Sequence, residues 1–302
     1  MIIGKPEHFE KAHYEANRGR APAHLAELVV YCLELVAQLA HRRVVFRFKG
    51  GNSLLVMLED PQRFSIDVDI VTDESKEALI EHVGAIAEGC EAFTRWEARA
   101  PKTKPWLPMI SFKVFFDSVY QAPEDAFVML DCVLQGAPYD GKRKPVRCGR
   151  LYESNEVVEV PSVSGLIGDK LLTLGPSTLG IPLGKGKEAH RLKHVFDVAL
   201  LSRQGYDLEA VRRSVAGCME QESRIQERQV TLAEIVEDTI RFVSEPLEHA
   251  VQPSPEAFAD GTYMREVALG FDAFREGLFG REYTWGAFRE DCEAIAALTR
   301  SL

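Results

Sequence analysis

The feature that most constrains this chain is the run Lys49-Gly50-Gly51-Asn52-Ser53, followed fourteen residues on by Asp67-Val68-Asp69 within Arg63-Phe64-Ser65-Ile66-Asp67-Val68-Asp69-Ile70. Alternation of apolar and acidic residues over Ile66 to Val71 predicts a strand, and on a strand residues i and i+2 point the same way. Asp67 and Asp69 therefore project side by side from one face. Two such carboxylates repel, and their stable partner is a divalent cation. An oxygen-only ligand set suits Mg²⁺, with Mn²⁺ as the alternative, completed by substrate phosphates. The adjacent glycines let backbone N–H groups at a helix N-terminus approach a polyphosphate. An exposed edge strand with two solvated aspartates is the alternative. Against it stand the apolar opposite face of Ile66, Val68 and Ile70 and the nearby Gly-Gly turn.

The surrounding pattern is α/β, then helical. Leu25, Val29, Cys32, Leu33, Val36 and Leu39 recur at helical spacing over residues 24 to 41. A short strand is expected at Val44 to Phe48, a helical run near Ser53 to Leu58, a helix over Lys76 to Glu88, and strands at Ile110 to Phe116 and Phe127 to Leu134. From Pro161 onward helices are expected at about Ser162 to Leu174, Lys187 to Ser202, Leu208 to Gln221 and Leu232 to Val243, with more before the end. Thr231-x-x-Glu234 reads as a capping box. This is an α+β chain, with the boundary expected around Tyr152 to Pro161: an α/β domain over 1–160 and a helical domain over 161–302.

Other positions carry charge where apolar residues are expected. Asp131 interrupts Val128-Met129-Leu130-Asp131-Cys132-Val133-Leu134 and is a candidate third carboxylate, with Asp117 as the fallback. Lys170 falls in the middle of the stripe Val163, Leu166, Ile167 and Leu174, so it either snorkels to solvent or is held inward by an anion. On the helix from Lys187, Leu192, Val195, Phe196 and Ala199 form the apolar face, opposite His190, Lys193, His194 and Asp197. Lys193 and Asp197 are four residues apart and can pair. Lys142, Arg143, Lys144, Arg147 and Arg150, and the loop Gly184-Lys185-Gly186-Lys187, are basic stretches that could meet RNA or remain solvated.

Lys49-Gly50-Gly51 followed by Arg63-Phe64-Ser65-x-Asp67-x-Asp69 resembles motif I of the AbiEii/AbiGii-type nucleotidyltransferase toxins, a branch of the DNA polymerase β-like superfamily. Asp169-Lys170-Leu171 is similar to a second motif of that family. Arg191-Leu192-Lys193-His194-Val195-Phe196-Asp197 is similar to a third, with His194 in place of the usual acidic residue. The resemblance covers about residues 40 to 200. It implies a polymerase β-like core with a mixed sheet and a helical domain that contributes Lys170 and Asp197 to the site. It further implies metal ligation by Asp67, Asp69 and Asp131, and nucleotide binding by Lys49, Gly50, Gly51, Ser53, Arg63, Ser65 and Lys193. Catalytic roles fall to Asp67, Asp69, Lys170, which neutralises the triphosphate, and Asp197, which orients a catalytic group or the nucleophile. The implied reaction is Mg²⁺-dependent transfer of a nucleoside monophosphate from an NTP to RNA, the tRNA 3′ end in particular. The implied setting is a toxin–antitoxin or phage-defence system with a cognate antitoxin protein.

Composition narrows the alternatives. With 302 residues and 46% hydrophobic residues the chain can bury its core without disulfides, and its six cysteines have no metal-site spacing. The first twenty residues are polar, and the apolar stretch Leu25 to Leu39 is broken by Glu27, Glu34 and Gln38, so the expectation is a cytoplasmic protein with no membrane partner. Of the formal charge of -10, residues 231–302 contribute 14 acidic against 6 basic side chains. That tail keeps open a cationic small-molecule acceptor such as an aminoglycoside. A catalytically inactive binding protein of the same fold is the other alternative, opposed by the intact Asp67-x-Asp69 pair.

Overall fold

The computed structural model describes residues 1–99, 106–280 and 282–302. The chain divides into two compact units, one of residues 1–137 and 141–161 and one of 138–140 and 162–302. The first is built on a seven-stranded mixed sheet: β1 (Arg47–Lys49), β2 (Asp67–Val71), β3 (Arg95–Arg99), β4 (Met109–Phe115), β5 (Phe127–Val133), β6 (Gly141–Cys148) and β7 (Tyr152–Pro161). Their spatial order is β3-β4-β5-β2-β1-β7-β6. The pairs β2/β5 and β1/β7 are parallel and the remaining neighbours antiparallel.

The α1 helix (Lys11–Asn17) and the α2 helix (Ala23–His41) precede the sheet; α3 (Leu54–Met57) and α4 (Lys76–Gly89) flank β2. α2 and α4 pack against strands of the sheet. The covered face carries Val68, Ile70, Val128, Leu130, Cys132, Phe112 and Val114, all without solvent exposure. α2 is long and apolar enough to cross a membrane, but most of it is buried within this unit. Its interrupting polar residues are tethers rather than a solvent face. Glu27 accepts from the Ser118 hydroxyl and the Val119 amide, and Glu34 from the Ile3 and Gly4 amides and the Tyr152 hydroxyl. Burial pushes the Glu27 carboxyl above its ordinary pKa.

Several expectations need correction. The first strand occupies Arg47–Lys49 rather than Val44 to Phe48, because Val44 follows directly on a turn at the end of α2 in which Arg43 adopts a positive φ. Tyr152–Pro161, around which the boundary was expected, is the longest strand of the sheet, and the division between the units falls at its end, after Pro161; its charges alternate with Val158 and Val160, which are buried. The basic stretch from Lys142 is the edge strand β6, where four cationic residues and Pro145 discourage pairing with another chain. β3, with the sequence RWEAR, forms the other edge.

The second unit holds α5 (Val163–Leu171), α6 (Glu188–Ser202), α7 (Leu208–Gln226), α8 (Leu232–Ser244), α9 (Tyr263–Glu276) and α10 (Trp285–Arg300). Their starts are set by side-chain caps: Ser162 accepts from the Gly165 amide, Asp207 from Ala210 and Thr284 from Ala287, and Thr231 and Glu234 form a reciprocal capping box. Phe196, Phe271, Phe274, Tyr283 and Phe288 interlock as the aromatic core. All six cysteines are free and buried.

Candidate active site

Sheet register brings the acidic residues together. Asp69 is paired with Asp131 across the parallel β2/β5 ladder, with Lys49 on its other side in β1, and Asp131 is in turn opposite Ser111 in β4. Paired residues share a face, so Lys49, Asp69, Asp131 and Ser111 form one row across four strands. Asp67 stands one step along the same face, beside Met129. This is the face opposite Val68, Ile70, Leu130 and Phe112. Asp117 lies beyond the end of β4 and is exposed, outside this row.

The Gly50-Gly51 turn closes on the row. Gly50 has a φ of +71°, and a methyl group there would lie 1.9 Å from Asp69 Oδ2. A methyl group on Gly51 would lie 2.7 Å from both Arg63 Nη2 and Ser65 Oγ. Lys49, Gly50, Gly51, Arg63, Ser65 and Asp69 are thus one cluster, although up to twenty residues separate them in sequence. Ser53 is fully buried, and its hydroxyl donates to the Gly50 carbonyl at 2.9 Å, so it holds the turn. The helix following the glycines, α3, has four residues only. The cluster's cationic and polar character comes from Arg63, Ser65 and Lys49 more than from a helix terminus.

The electrostatics are those of crowded acids. Burial, followed by the charge of Asp67, pushes the Asp131 carboxyl above its ordinary pKa, while the hydrogen bond from Ser111 pulls it down. Behind the strand, burial raises the Cys32 thiol strongly, with the charges of Asp67 and Asp69 adding to it. Like charges held on one half-exposed face fit a divalent cation that takes one or two carboxylates and completes its shell from substrate oxygens. Among the described residues no three acidic, histidine or cysteine side chains already close on a common point. The reason is geometric: Asp67 and Asp69 are one strand repeat apart, about 6.6 Å along β2, and Asp67 turns toward solvent.

In the helical unit, Lys170 and Asp197 form a buried ion pair at 2.7 Å. Lys170 therefore does not snorkel; the anion holding it inward is the Asp197 side chain, and Asp197 lies inside the fold instead of on the solvent face expected from its spacing. Lys193, one turn earlier on α6, is half-buried. A second buried pair escapes sequence reasoning. Arg191 donates through Nε and Nη2 to Glu266 on α9, and Glu266 also accepts from the Gly184 amide, anchoring the base of the Gly184-Lys185-Gly186-Lys187 loop. Nothing at Arg191 announces a partner 75 residues away, although its place beside the apolar face of α6 was a signal.

The centre of the seven-stranded sheet thus holds Asp69 beside Asp131, with the Gly50-Gly51 turn against Asp69. The family model of the nucleotidyl transferase AbiEii toxin of type IV toxin–antitoxin systems matches residues 35–285, and the chain belongs to that family. Among solved structures, the nucleotidyltransferase toxin MenT4 (Rv2826c) of Mycobacterium tuberculosis H37Rv aligns with a TM-score of 0.61 at 14% identity, covering 97% of this chain and 89% of that one. A putative nucleotidyltransferase from H. pylori aligns at a TM-score of 0.42 and 14% identity, over 91% of this chain and 95% of that one. An antigenic nucleotidyltransferase-like protein from Paracoccidioides brasiliensis aligns at 0.39 and 12% identity, over 67% and 91% respectively. No curated protein matches the chain.

Proposed function

We propose that this nucleotidyltransferase transfers a nucleoside monophosphate from an NTP to an RNA acceptor, the tRNA 3′ end, with release of pyrophosphate. The observation that carries the reading is the row Lys49, Asp69, Asp131 and Ser111, with the Gly50-Gly51 turn pressed against Asp69. Asp67, Asp69 and Asp131 would hold Mg²⁺, or Mn²⁺ in its place. When bound, the metal supplies charge stabilisation for the attacking and leaving oxygens of an in-line displacement.

The chain's own residues do the rest. Gly50 and Gly51 admit the polyphosphate to within backbone distance, and Ser53 keeps the turn in shape. Lys49, Arg63 and Ser65 supply positive charge and donors along it, so that negative charge is met by groups already in position. Within the helical domain, residues 161–302, Asp197 orients Lys170, and Lys193 stands one turn before Asp197 on α6. In this reading the α/β domain, residues 1–160, carries the metal-binding carboxylates.

The setting we infer is the cytoplasm, where NTPs and RNA are found and where six buried free thiols are at home. There the enzyme acts as the toxin, restrained by a cognate antitoxin protein, in growth control or phage defence. The test is to incubate the protein with each labelled NTP, Mg²⁺ and total RNA, or tRNA alone. Label is expected in RNA in the wild type and absent in Asp67→Ala and Asp69→Ala variants that remain folded. A second acceptor class has one observation in its favour, the acidic balance of residues 231–302, which would attract a cationic small molecule. Labelling of an aminoglycoside panel with no label in RNA would select that acceptor instead.

A further inference from the structure

Ser111 sits on β4, on the side of β5 away from β2. It pairs directly with Asp131, and its hydroxyl donates to Asp131 Oδ1 at 2.5 Å. On the other flank of Asp131, in register across β2, stands Asp69. Two carboxylates on adjacent strands about 4.8 Å apart repel and would swing away from each other if nothing fixed them. A ligand carboxylate must instead present a lone pair to the space between.

We propose that Ser111 is a positioning residue of the metal-binding carboxylates. By drawing Oδ1 of Asp131 toward β4, it leaves Oδ2 to face the Asp69 side, where a shared cation would bind. The proposal rests on the reading of Asp131 as a metal ligand given above. Its physical basis is general: groups that hydrogen-bond a metal-ligating side chain fix its orientation, and their removal typically lowers metal affinity or activity by about 10- to 100-fold. Nothing else about Ser111 calls for a hydroxyl. It is half-exposed on the open face, and its backbone lies in the ladders that β4 forms with β3 and β5.

The test is direct titration with Mn²⁺ alone, following free Mn²⁺ by electron paramagnetic resonance, for wild type, Ser111→Ala, Ser111→Thr and Asp131→Ala. Thermal unfolding is recorded for each, and transfer is measured as a function of Mn²⁺. Ser111→Ala should weaken Mn²⁺ binding by about 10-fold or more with an unfolding midpoint close to wild type. Its transfer should fall in kcat at a fixed low Mn²⁺ concentration and recover as Mn²⁺ is raised. Ser111→Thr, which keeps the hydroxyl, should restore binding. If Ser111→Ala binds Mn²⁺ like wild type while Asp131→Ala does not, Ser111 is idle and the proposal falls, with the metal reading intact. If Asp131→Ala also binds like wild type, Asp131 is not a ligand and both fall.

Discussion

At the scale of single residues, Asp131 sets stability against chemistry. Its carboxyl is raised above its ordinary pKa by burial and by Asp67, so its folded-state value exceeds its unfolded one. The stability it contributes is fully present below the unfolded carboxylate pKa, about 3.9, and is lost as pH rises through the folded value. Asp131→Asn does not titrate and still accepts from Ser111. Its unfolding midpoint should match wild type near pH 4 and exceed it increasingly toward pH 7.5, while transfer disappears. A less stable variant at pH 7.5 would mean that the ionised carboxylate holds the sheet together. Gly50 makes the opposite case, because Gly50→Ala puts a side chain at a positive φ and into the Asp69 carboxylate. Thermal unfolding and transfer assays should show a loss of more than about 1 kcal/mol and of most activity. Asp67, Asp69, Asp131 and the glycines were legible because a charge in an apolar run and a paired glycine are both anomalies. Ser111 was not, since a serine on a half-exposed strand is ordinary until register shows what stands opposite.

At the scale of elements, the α5/α6 contact depends on Lys170 and Asp197, neither of which reaches solvent. Removing one partner of a buried pair strands the other charge, at a cost of about 3 to 5 kcal/mol, whereas replacing both with apolar residues is often neutral. Lys170→Met alone should therefore lower stability severely, and Lys170→Met combined with Asp197→Leu should recover most of it. Denaturant titration measures both, and transfer should stay lost in the double variant if the pair serves the substrate. Recovered stability with recovered transfer would make the pair purely architectural. Helices α2 to α8 were legible from apolar spacing, and the Thr231–Glu234 capping box marked the start of α8, whereas the seven-residue α1 was not read and α9 and α10 were expected without bounds. The strands were read less completely. β2, β4 and β5 alternate cleanly, but β3 and β6 are charged edges, and β7 carries Glu153, Glu156 and Glu159 along its length. Their pairing is decided by neighbours distant in sequence, which local alternation does not reveal.

At the scale of the molecule, the charge distribution governs which acceptor is served, and the sheet sorts the basic stretch into two sets. Arg143 is in register with Glu159, which is paired with Arg47 in both the ladder and an ion pair, placing Arg143 on the same face as Lys49 and Asp69. Lys142 and Lys144 pair with Val160 and Val158 and point to the other face. Arg147 is already engaged by Glu153. A stretch that reads in sequence as one cationic patch is therefore split by strand geometry, and only one part can help a polyanion lying over the carboxylates. For an RNA acceptor, apparent affinity should fall steeply with salt. Arg143→Glu should weaken it and flatten the log–log salt slope by about one unit per lost phosphate contact. The Lys142→Glu, Lys144→Glu double variant should change affinity much less, although it carries twice the charge change. For a cationic small molecule the ordering disappears, because each reversal would be neutral or mildly favourable. Transfer to tRNA and to an aminoglycoside panel, measured for both variants at two salt concentrations, separates these outcomes. Equal loss from the two variants would show that the acceptor responds to net charge and not to the face that carries the aspartates.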